Sequence, residues 1–174
     1  MVDWIAQGIG IVAAALTIFS FQCKSNKTLY IFQAVAGFLF FVNFFMLGDY
    51  TAAFLNLINL LRGGLLAGGK RFESRMYAAG LMALYTATTV VTFALFTNWF
   101  SILVWAAQLV GTVAMWSKKG KIIRLGQLFV VSPAWLINNI FNSFSIGGII
   151  TEAVSILSII ISLIRYRKGF ETAD

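Results

Sequence analysis

Histidine, cysteine, proline and acidic residues are scarce or missing in this chain, and the shortage excludes several classes of function. The 174 residues include no histidine, one cysteine, one proline and six aspartates and glutamates. Without histidine, His-based catalytic triads and the common zinc sites cannot form, and general acid–base catalysis near neutral pH lacks its usual residue. The lone Cys23 excludes a disulfide within the chain. We therefore expect no enzymatic activity, no metal site and no resident cofactor.

Hydrophobic residues dominate what is present. They make up 60% of the sequence, charged residues make up 11%, and the mean hydropathy is +0.87. Soluble domains carry about 25% charged residues, because their surface has to be polar. The composition therefore predicts a membrane protein whose main partner is the lipid bilayer. The net charge of +7 is distributed in short groups between apolar runs, a pattern that predicts membrane topology rather than a nucleic-acid partner.

Seven apolar segments, each close to the roughly 20 residues that cross a bilayer, predict an all-α polytopic fold. They are residues 4–21, 29–48, 50–68, 76–97, 99–116, 122–141 and 145–164. The first segment lacks the basic flank of a signal peptide, so we expect it to remain in the mature protein. The division between the last two segments is the least certain, because NNIFNSFS at 138–145 is also compatible with a re-entrant break.

The charges of the linkers alternate along the chain. The N-terminus and the second, fourth and sixth linkers contain no lysine or arginine, whereas the other linkers and the tail contain Lys24, Lys27, Lys70, Arg71, Arg75, Lys118, Lys119, Lys121, Arg124, Arg165, Arg167 and Lys168. By the positive-inside rule, this alternation predicts an external N-terminus and a cytoplasmic C-terminus. An odd number of spans is needed for that orientation, which agrees with seven.

Two parts of the sequence resemble each other. Residues 4–13, WIAQGIGIVA, match residues 105–114, WAAQLVGTVA, at six of ten positions, including tryptophan, glutamine and glycine in register. At a spacing of 96 residues, Asn43 also matches Asn139 and Asn56 falls on Glu152. The repeat predicts two parallel three-helix bundles joined by one linker helix, because a single span between them restores the chain direction.

The predicted division of the chain follows from this repeat. It comprises a first three-helix repeat at 1–69, a linker loop and helix at 70–97, a second three-helix repeat at 98–168 and a cytoplasmic tail at 169–174. In transporters built from such repeats, the substrate site lies near the middle of the membrane where the two halves meet.

Two of the predicted helices carry a polar stripe on an otherwise apolar surface. On the third span, Asn56 and Asn59 share a face and Arg62 lies at its edge, given 100° per residue. On the last span one face consists of Ser145, Gly148, Thr151, Glu152, Ser155, Ser158 and Ser162. Small and hydroxyl residues at this spacing also suit close helix packing. The stripes therefore indicate either helix contacts or a surface that faces a ligand.

The two charged residues of these stripes need a special environment. A carboxylate as deep as Glu152 costs on the order of 3 kcal/mol in a bilayer, so it is protonated, paired or in contact with water. Glu152 is also a candidate for carrying a coupled proton. Arg62 either extends toward the inner headgroups or faces the protein interior, where it pairs with Glu152 or a bound anion.

The polar and aromatic residues at mid-span make up a candidate substrate site. Amides both donate and accept hydrogen bonds, and tryptophans can stack on a flat or sugar-like ligand. Pro133 interrupts the sixth span, and a broken helix at this depth either marks a binding site or merely bends the helix. The predicted substrate-binding residues are Asn43, Asn56, Asn59, Arg62, Trp105, Gln108, Trp135, Asn138, Asn139, Glu152 and Ser155.

Three stretches carry a resemblance to a known family. They are LTIFSFQCKSNKTLYIFQ, LGDYTAAFLNLINLLRG and SPAWLINNIFNSFSIGGIITEAVSILS. The chain resembles the bacterial YgjV-type inner-membrane protein family over essentially its whole length, which implies a bacterial inner-membrane location. Its three-one-three arrangement is similar to that of the SWEET sugar transporters and the PnuC vitamin transporters. It departs from the SWEET pattern because Gln33 has no proline before it and Pro133 is followed by Ala134.

Two functional hypotheses follow. In the first, the protein is a transporter or facilitator of a small polar solute that is sugar-, nucleoside- or vitamin-like, and it works by alternating access at a central site between the repeats. The chain lacks a Walker motif, so a gradient would drive transport. In the alternative, it is a non-transporting membrane subunit or a scaffold for lipids or partners, and the polar stripes are contact surfaces. A homo-oligomer is compatible with both.

Overall fold

A computed structural model of the chain describes residues 3–68, 75–96 and 98–166. The described residues form seven helices: α1 (Trp4–Gln22), α2 (Asn26–Met46), α3 (Tyr50–Ala67), α4 (Arg75–Ala94), α5 (Trp99–Trp116), α6 (Gly120–Ser143) and α7 (Ile146–Arg165). The predicted all-α fold and its seven helical segments are confirmed, with boundaries that differ by a few residues. The predicted linker charges Lys70 and Arg71, the charges of Arg167 and Lys168, and the predicted tail at 169–174 lie outside the described residues.

Four helices begin at capping residues at one end of the molecule. The side chains of Asp3, Asp49, Asn98 and Ser145 accept hydrogen bonds from backbone N–H groups in the first turns of α1, α3, α5 and α7. Such residues are preferred at helix starts because they satisfy N–H groups that have no partner within the helix. We call this end the Asp49 end. The opposite end, which carries Lys24, Lys118 and Lys119, is called the basic end.

Six of the described helices close a ring in chain order. α1 packs against α2, α2 against α3, α3 against α5, α5 against α6, α6 against α7, and α7 returns to α1, whereas α4 packs outside the ring against α3 and α5. The contact between α1 and α7 is close enough that Gly147 lies directly against the backbone of Gly10. The ring therefore encloses a central space that side chains from six helices can reach.

α6 is the irregular member of the ring. It is π-helical at Gln127–Val131, directly before Pro133, and again at Asn139–Ser143. Proline removes a backbone donor and its ring clashes with the preceding turn, and a wider turn accommodates both effects. The predicted interruption at Pro133 is thus present as a local change of helix type. The predicted division after α6 also holds, because Phe144 adopts a left-handed conformation (φ 49°) and a separate helix follows.

The outer surface of the molecule is apolar, unlike that of a soluble protein. Large apolar side chains face outward, such as Phe129, Leu157 and Ile164 at 71%, 61% and 68% exposure, while Asn43 and Ser162 are fully buried. Five helices, namely α1, α2, α5, α6 and α7, are long and apolar enough to cross a membrane. The other two helices do not reach this length or hydropathy. The polar stripe of α3 lowers its hydropathy, and the described side chains of α4 form only a shorter apolar stretch, Met82–Ala94.

Candidate functional site

A cavity of about 80 Å³ lies inside the ring, and every helix of the ring contributes to its lining. Both polar stripes face inward, as expected if they do not contact lipid. Several residues of the predicted substrate site are brought together around this cavity: Asn56, Asn59, Arg62, Gln108, Trp135, Asn139 and Glu152.

Three amide side chains form one wall of the cavity across α3 and α5. Asn59 Nδ2 donates to Asn56 Oδ1 at 3.3 Å, and Gln108 Nε2 donates to Asn59 Oδ1. Asn56 is in turn held by a 2.9 Å bond from its Nδ2 to the carbonyl of Ala52. Because each amide fixes the orientation of the next, this wall presents its remaining polar atoms in a set direction.

Arg62 faces the interior and not the headgroup region. Its side chain is only 7% exposed, and Nη1 donates to Thr112 Oγ1 on α5 at 2.9 Å. Its Nε is buried without a hydrogen-bond partner. Of the two accounts of this arginine that the sequence left open, the structure thus supports the interior one. The guanidinium keeps an unused donor next to the cavity.

Glu152 lies on α7, across the ring from α3, and has a hydrogen-bond acceptor without a partner. The residue is 9% exposed, and its carboxyl group interacts with the side chain of Ser132 on α6. Its Oε2 has no hydrogen-bond partner, and neither does Oδ1 of Asn139 nearby on α6. Buried polar atoms without partners are rare in native proteins. Among the described residues, Arg62, Glu152 and Asn139 combine such an atom with a place in the cavity lining, which indicates that a ligand or water completes their bonding.

An aromatic wall completes the lining. Trp135 is 6% exposed, and its ring packs against Phe44 with centroids 5.9 Å apart. Phe40 stacks on Phe44 at 5.7 Å. These rings supply an apolar surface beside the charged and amide groups. Such a combination is typical of small-molecule sites.

Four residues of the predicted site lie away from the cavity lining. Asn43 joins α1 to α7, because its Nδ2 donates to the carbonyl of Ala6 and its Oδ1 accepts from Ser145. The indole of Trp105 donates to Thr89 on α4 at 3.2 Å, which turns it out of the ring. Ser155 is buried but is not part of the lining, and Asn138 belongs to a cluster at the Asp49 end.

That cluster gathers around the carboxylate of Asp49. Its Oδ2 accepts hydrogen bonds from Ser143, Asn142 and Asn138, at 2.5, 3.0 and 3.4 Å, while its Oδ1 caps α3. The carboxylate thereby ties the start of α3 to the end of α6. From the sequence alone, Asp49 can be interpreted only as a charged residue in a loop.

Asp49→Asn is expected to lower the free energy of unfolding by about 2 kcal/mol, because an amide N–H₂ would face the donors of Asn138 and Asn142. Asp3→Asn is the matched control. Asp3 only caps α1, where asparagine is as good as aspartate. Thermal unfolding of the purified variants in detergent measures both. Equal melting temperatures would contradict the role assigned to Asp49.

Arg124 is the most important residue that sequence reasoning missed. It was expected among the linker charges, but it lies within α6 and is fully buried. Its side chain donates to Ser162 Oγ at 2.8 Å and to the carbonyls of Phe21 and Cys23 at 3.2 and 2.9 Å. Those carbonyls terminate α1, so the arginine satisfies acceptors that the helix leaves open.

Further cavity residues were visible in the sequence as polar groups at mid-span but were not assigned to the site. Gln33 and Gln127 line the cavity, and so does Thr17. Gln127 Nε2 donates to Ser132 Oγ at 3.2 Å, beside Glu152. Within the part of the chain that the structure describes, no group of histidine, cysteine, aspartate or glutamate side chains is arranged to hold a metal ion.

Comparisons with known proteins agree with a location in the membrane. The Imp-YgjV family of bacterial inner membrane proteins matches residues 4–169. The inner membrane protein YgjV of Escherichia coli (strain K12) is 29% identical over 168 residues, which cover 94% of this chain and 85% of that protein. No solved structure matches the chain. The chain is thus a multi-pass protein of the bacterial inner membrane, and it belongs to the Imp-YgjV family.

Proposed function

We propose that the protein is a transporter or facilitator of a small polar solute, which binds in the central cavity. The observation that carries the proposal is that three residues lining this one cavity each hold a buried polar atom without a hydrogen-bond partner: Arg62 Nε, Glu152 Oε2 and Asn139 Oδ1. Leaving such atoms unpaired costs about 1–3 kcal/mol each. A solute that satisfies them is bound by the same atoms.

The architecture we propose is seven spans arranged as two parallel three-helix repeats, similar to SWEET and PnuC proteins. The order of the helices around the ring supports it. Exchanging α1 with α5, α2 with α6 and α3 with α7 gives the same cyclic order. The equivalent glycines also occupy equivalent places. Gly10 faces Asn43 on α2, and Gly111 faces Val131 on α6, so each glycine meets the second helix of its own repeat.

Alternating access then requires the two ends of the ring to open in turn. At the Asp49 end, the Asp49 cluster joins α3 of the first repeat to α6 of the second. At the basic end, Arg124 joins α6 to the end of α1. Each network therefore crosses the boundary between the repeats. Breaking one network while the other holds would expose the cavity to one side at a time.

We further propose that the basic end is cytoplasmic, with the N-terminus outside, in accordance with the positive-inside rule. Transport would use a solute or ion gradient, and Glu152 is the candidate for a coupled proton. An uptake rate that does not depend on external pH in either the wild type or Glu152→Gln would exclude that coupling.

A single-cysteine experiment tests the function without knowledge of the solute. In a Cys23→Ser background, Thr151→Cys places a thiol in the cavity, and Leu157→Cys places one on the lipid face of the same helix. We expect a membrane-impermeant thiol reagent to modify the Thr151→Cys variant from either side of the membrane. Its rate should be at least about tenfold above that of the Leu157→Cys variant, because the charged reagent is excluded from lipid.

The labelling pattern also separates the alternatives. Modification from one side only would describe a pocket and contradict alternating access. Protection of the Thr151→Cys variant from both sides would favour the non-transporting scaffold. Wild-type melting behaviour of both variants in detergent establishes that the comparison concerns folded protein.

A further inference from the structure

The central cavity contains one basic and one acidic residue, on different helices. Of the described residues that line it, Arg62 and Glu152 carry the ionisable side chains. The other polar lining groups are amides and hydroxyls. Arg62 therefore supplies hydrogen-bond donors and Glu152 supplies acceptors at two separate places in the cavity.

The two charges do not neutralise each other directly. Arg62 directs Nη1 to Thr112 and leaves Nε unpaired, while Glu152 leaves Oε2 unpaired. Both helices start at the Asp49 end. Arg62 lies twelve residues into α3 and Glu152 six residues into α7, so their backbone positions differ in depth by about 9 Å at 1.5 Å per residue. When both side chains are ionised, each buried charge requires its own counter-group.

We infer that the cavity binds a small zwitterion, a solute with a carboxylate and a protonated amine a few bonds apart. This inference rests on the proposed function, since it names the class of solute. The carboxylate would accept from Arg62 Nε, and the ammonium group would donate to Glu152 Oε2 and Asn139 Oδ1. The methylene groups between them would lie along the indole of Trp135.

Other solutes of the same size satisfy less of the site. A simple anion leaves Glu152 without a counter-charge, a simple cation leaves Arg62 without one, and an uncharged polyol leaves both. An unpaired buried charge is more costly than a missing neutral hydrogen bond. The volume of about 80 Å³ also favours a compact solute, because the pockets that bind drug-sized ligands measure about 300–1,000 Å³.

A set of four-carbon probes tests the inference by charge alone. γ-Aminobutyrate is the zwitterion, butyrate the anion, butylamine the cation and butanediol the neutral member. Glycine and β-alanine vary the distance between the opposite charges. Binding is measured calorimetrically on the purified full-length protein in detergent, and uptake is measured in proteoliposomes.

We expect the best of the three zwitterions to bind at least about tenfold more tightly than any singly charged or neutral member. Glu152→Gln should abolish the preference over butyrate, and Arg62→Gln should abolish the preference over butylamine. Arg165→Gln changes an exposed arginine outside the cavity and should preserve the wild-type order.

The wild-type ranking alone decides the inference, so it does not depend on the folding of the variants. Binding of butanediol, butyrate or butylamine as tightly as the best zwitterion would overturn it, and so would the absence of zwitterion binding. If the Thr151→Cys thiol is still modified from both sides in that case, the transporter proposal stands and only the solute class is wrong. Loss of two-sided modification would instead remove the transporter proposal itself.

Discussion

Replacing Arg124 by glutamine is expected to lower the free energy of unfolding by at least about 3 kcal/mol. The arginine is fully buried and donates to Ser162 and to the carbonyls of Phe21 and Cys23. Those carbonyls end α1 and have no following turn to bond them. A glutamine is too short to reach both, so at least one acceptor would be buried without a partner.

The positive charge adds to this effect. A cation at the C-terminal end of a helix interacts favourably with the partial negative charge of its last carbonyls. Glutamine removes that interaction together with the hydrogen bonds. Intrinsic tryptophan fluorescence during thermal unfolding in detergent measures the combined loss.

Arg165→Gln is the matched control for Arg124. It removes an arginine from the last turn of α7, where the side chain is exposed. Its melting temperature should remain close to that of the wild type. A similar melting temperature for Arg124→Gln would show that the Arg124 contacts do not stabilise the fold.

Gly147→Ala is the second change with a large expected effect, a loss of about 3 kcal/mol. A Cβ atom at this position would lie 2.2 Å from the carbonyl carbon of Gly10 and 2.5 Å from its oxygen. Unlike a side chain, the backbone cannot rotate away. α1 and α7 would have to separate by more than 1 Å to restore ordinary contact distances of about 3.5–4.0 Å.

Gly8→Ala provides the control on the same pair of helices. A Cβ at Gly8 meets nothing within 4 Å. Alanine is also the better helix former by roughly 1 kcal/mol, so Gly8→Ala should be neutral or slightly stabilising. If both glycine variants melt at the same temperature, α1 and α7 do not approach each other as closely as described.

The helices and the inward direction of the two polar stripes could be predicted because both depend on local periodicity. Apolar runs of membrane length define the helices, and the spacing of Asn56 and Asn59, or of Thr151 and Glu152, defines a face. In a bilayer the polar face has to avoid lipid, so it is expected to point toward the interior of the helix bundle.

The partners of individual polar residues could not be predicted in this way. Asn43, Trp105 and Asn138 share the depth and polarity of the cavity residues, but they face neighbouring helices or the Asp49 cluster. Their role depends on which helix lies beside which, and a period of 3.6 residues carries no such information. Arg124 was missed for a related reason. It follows three lysines of a basic linker, and only the approach of α1 and α7 makes it an interior residue.

The two π-helical stretches of α6 make the two halves of the ring structurally unequal. α2 is a regular helix of 21 residues, whereas its counterpart α6 has 24 residues. A π turn bonds each residue to one farther along the chain than in an α-helix, and its packing is looser. The segment between these turns, Ser132–Asn138, carries Trp135 on the cavity wall. We expect this segment to change position more easily than the regular helix α2.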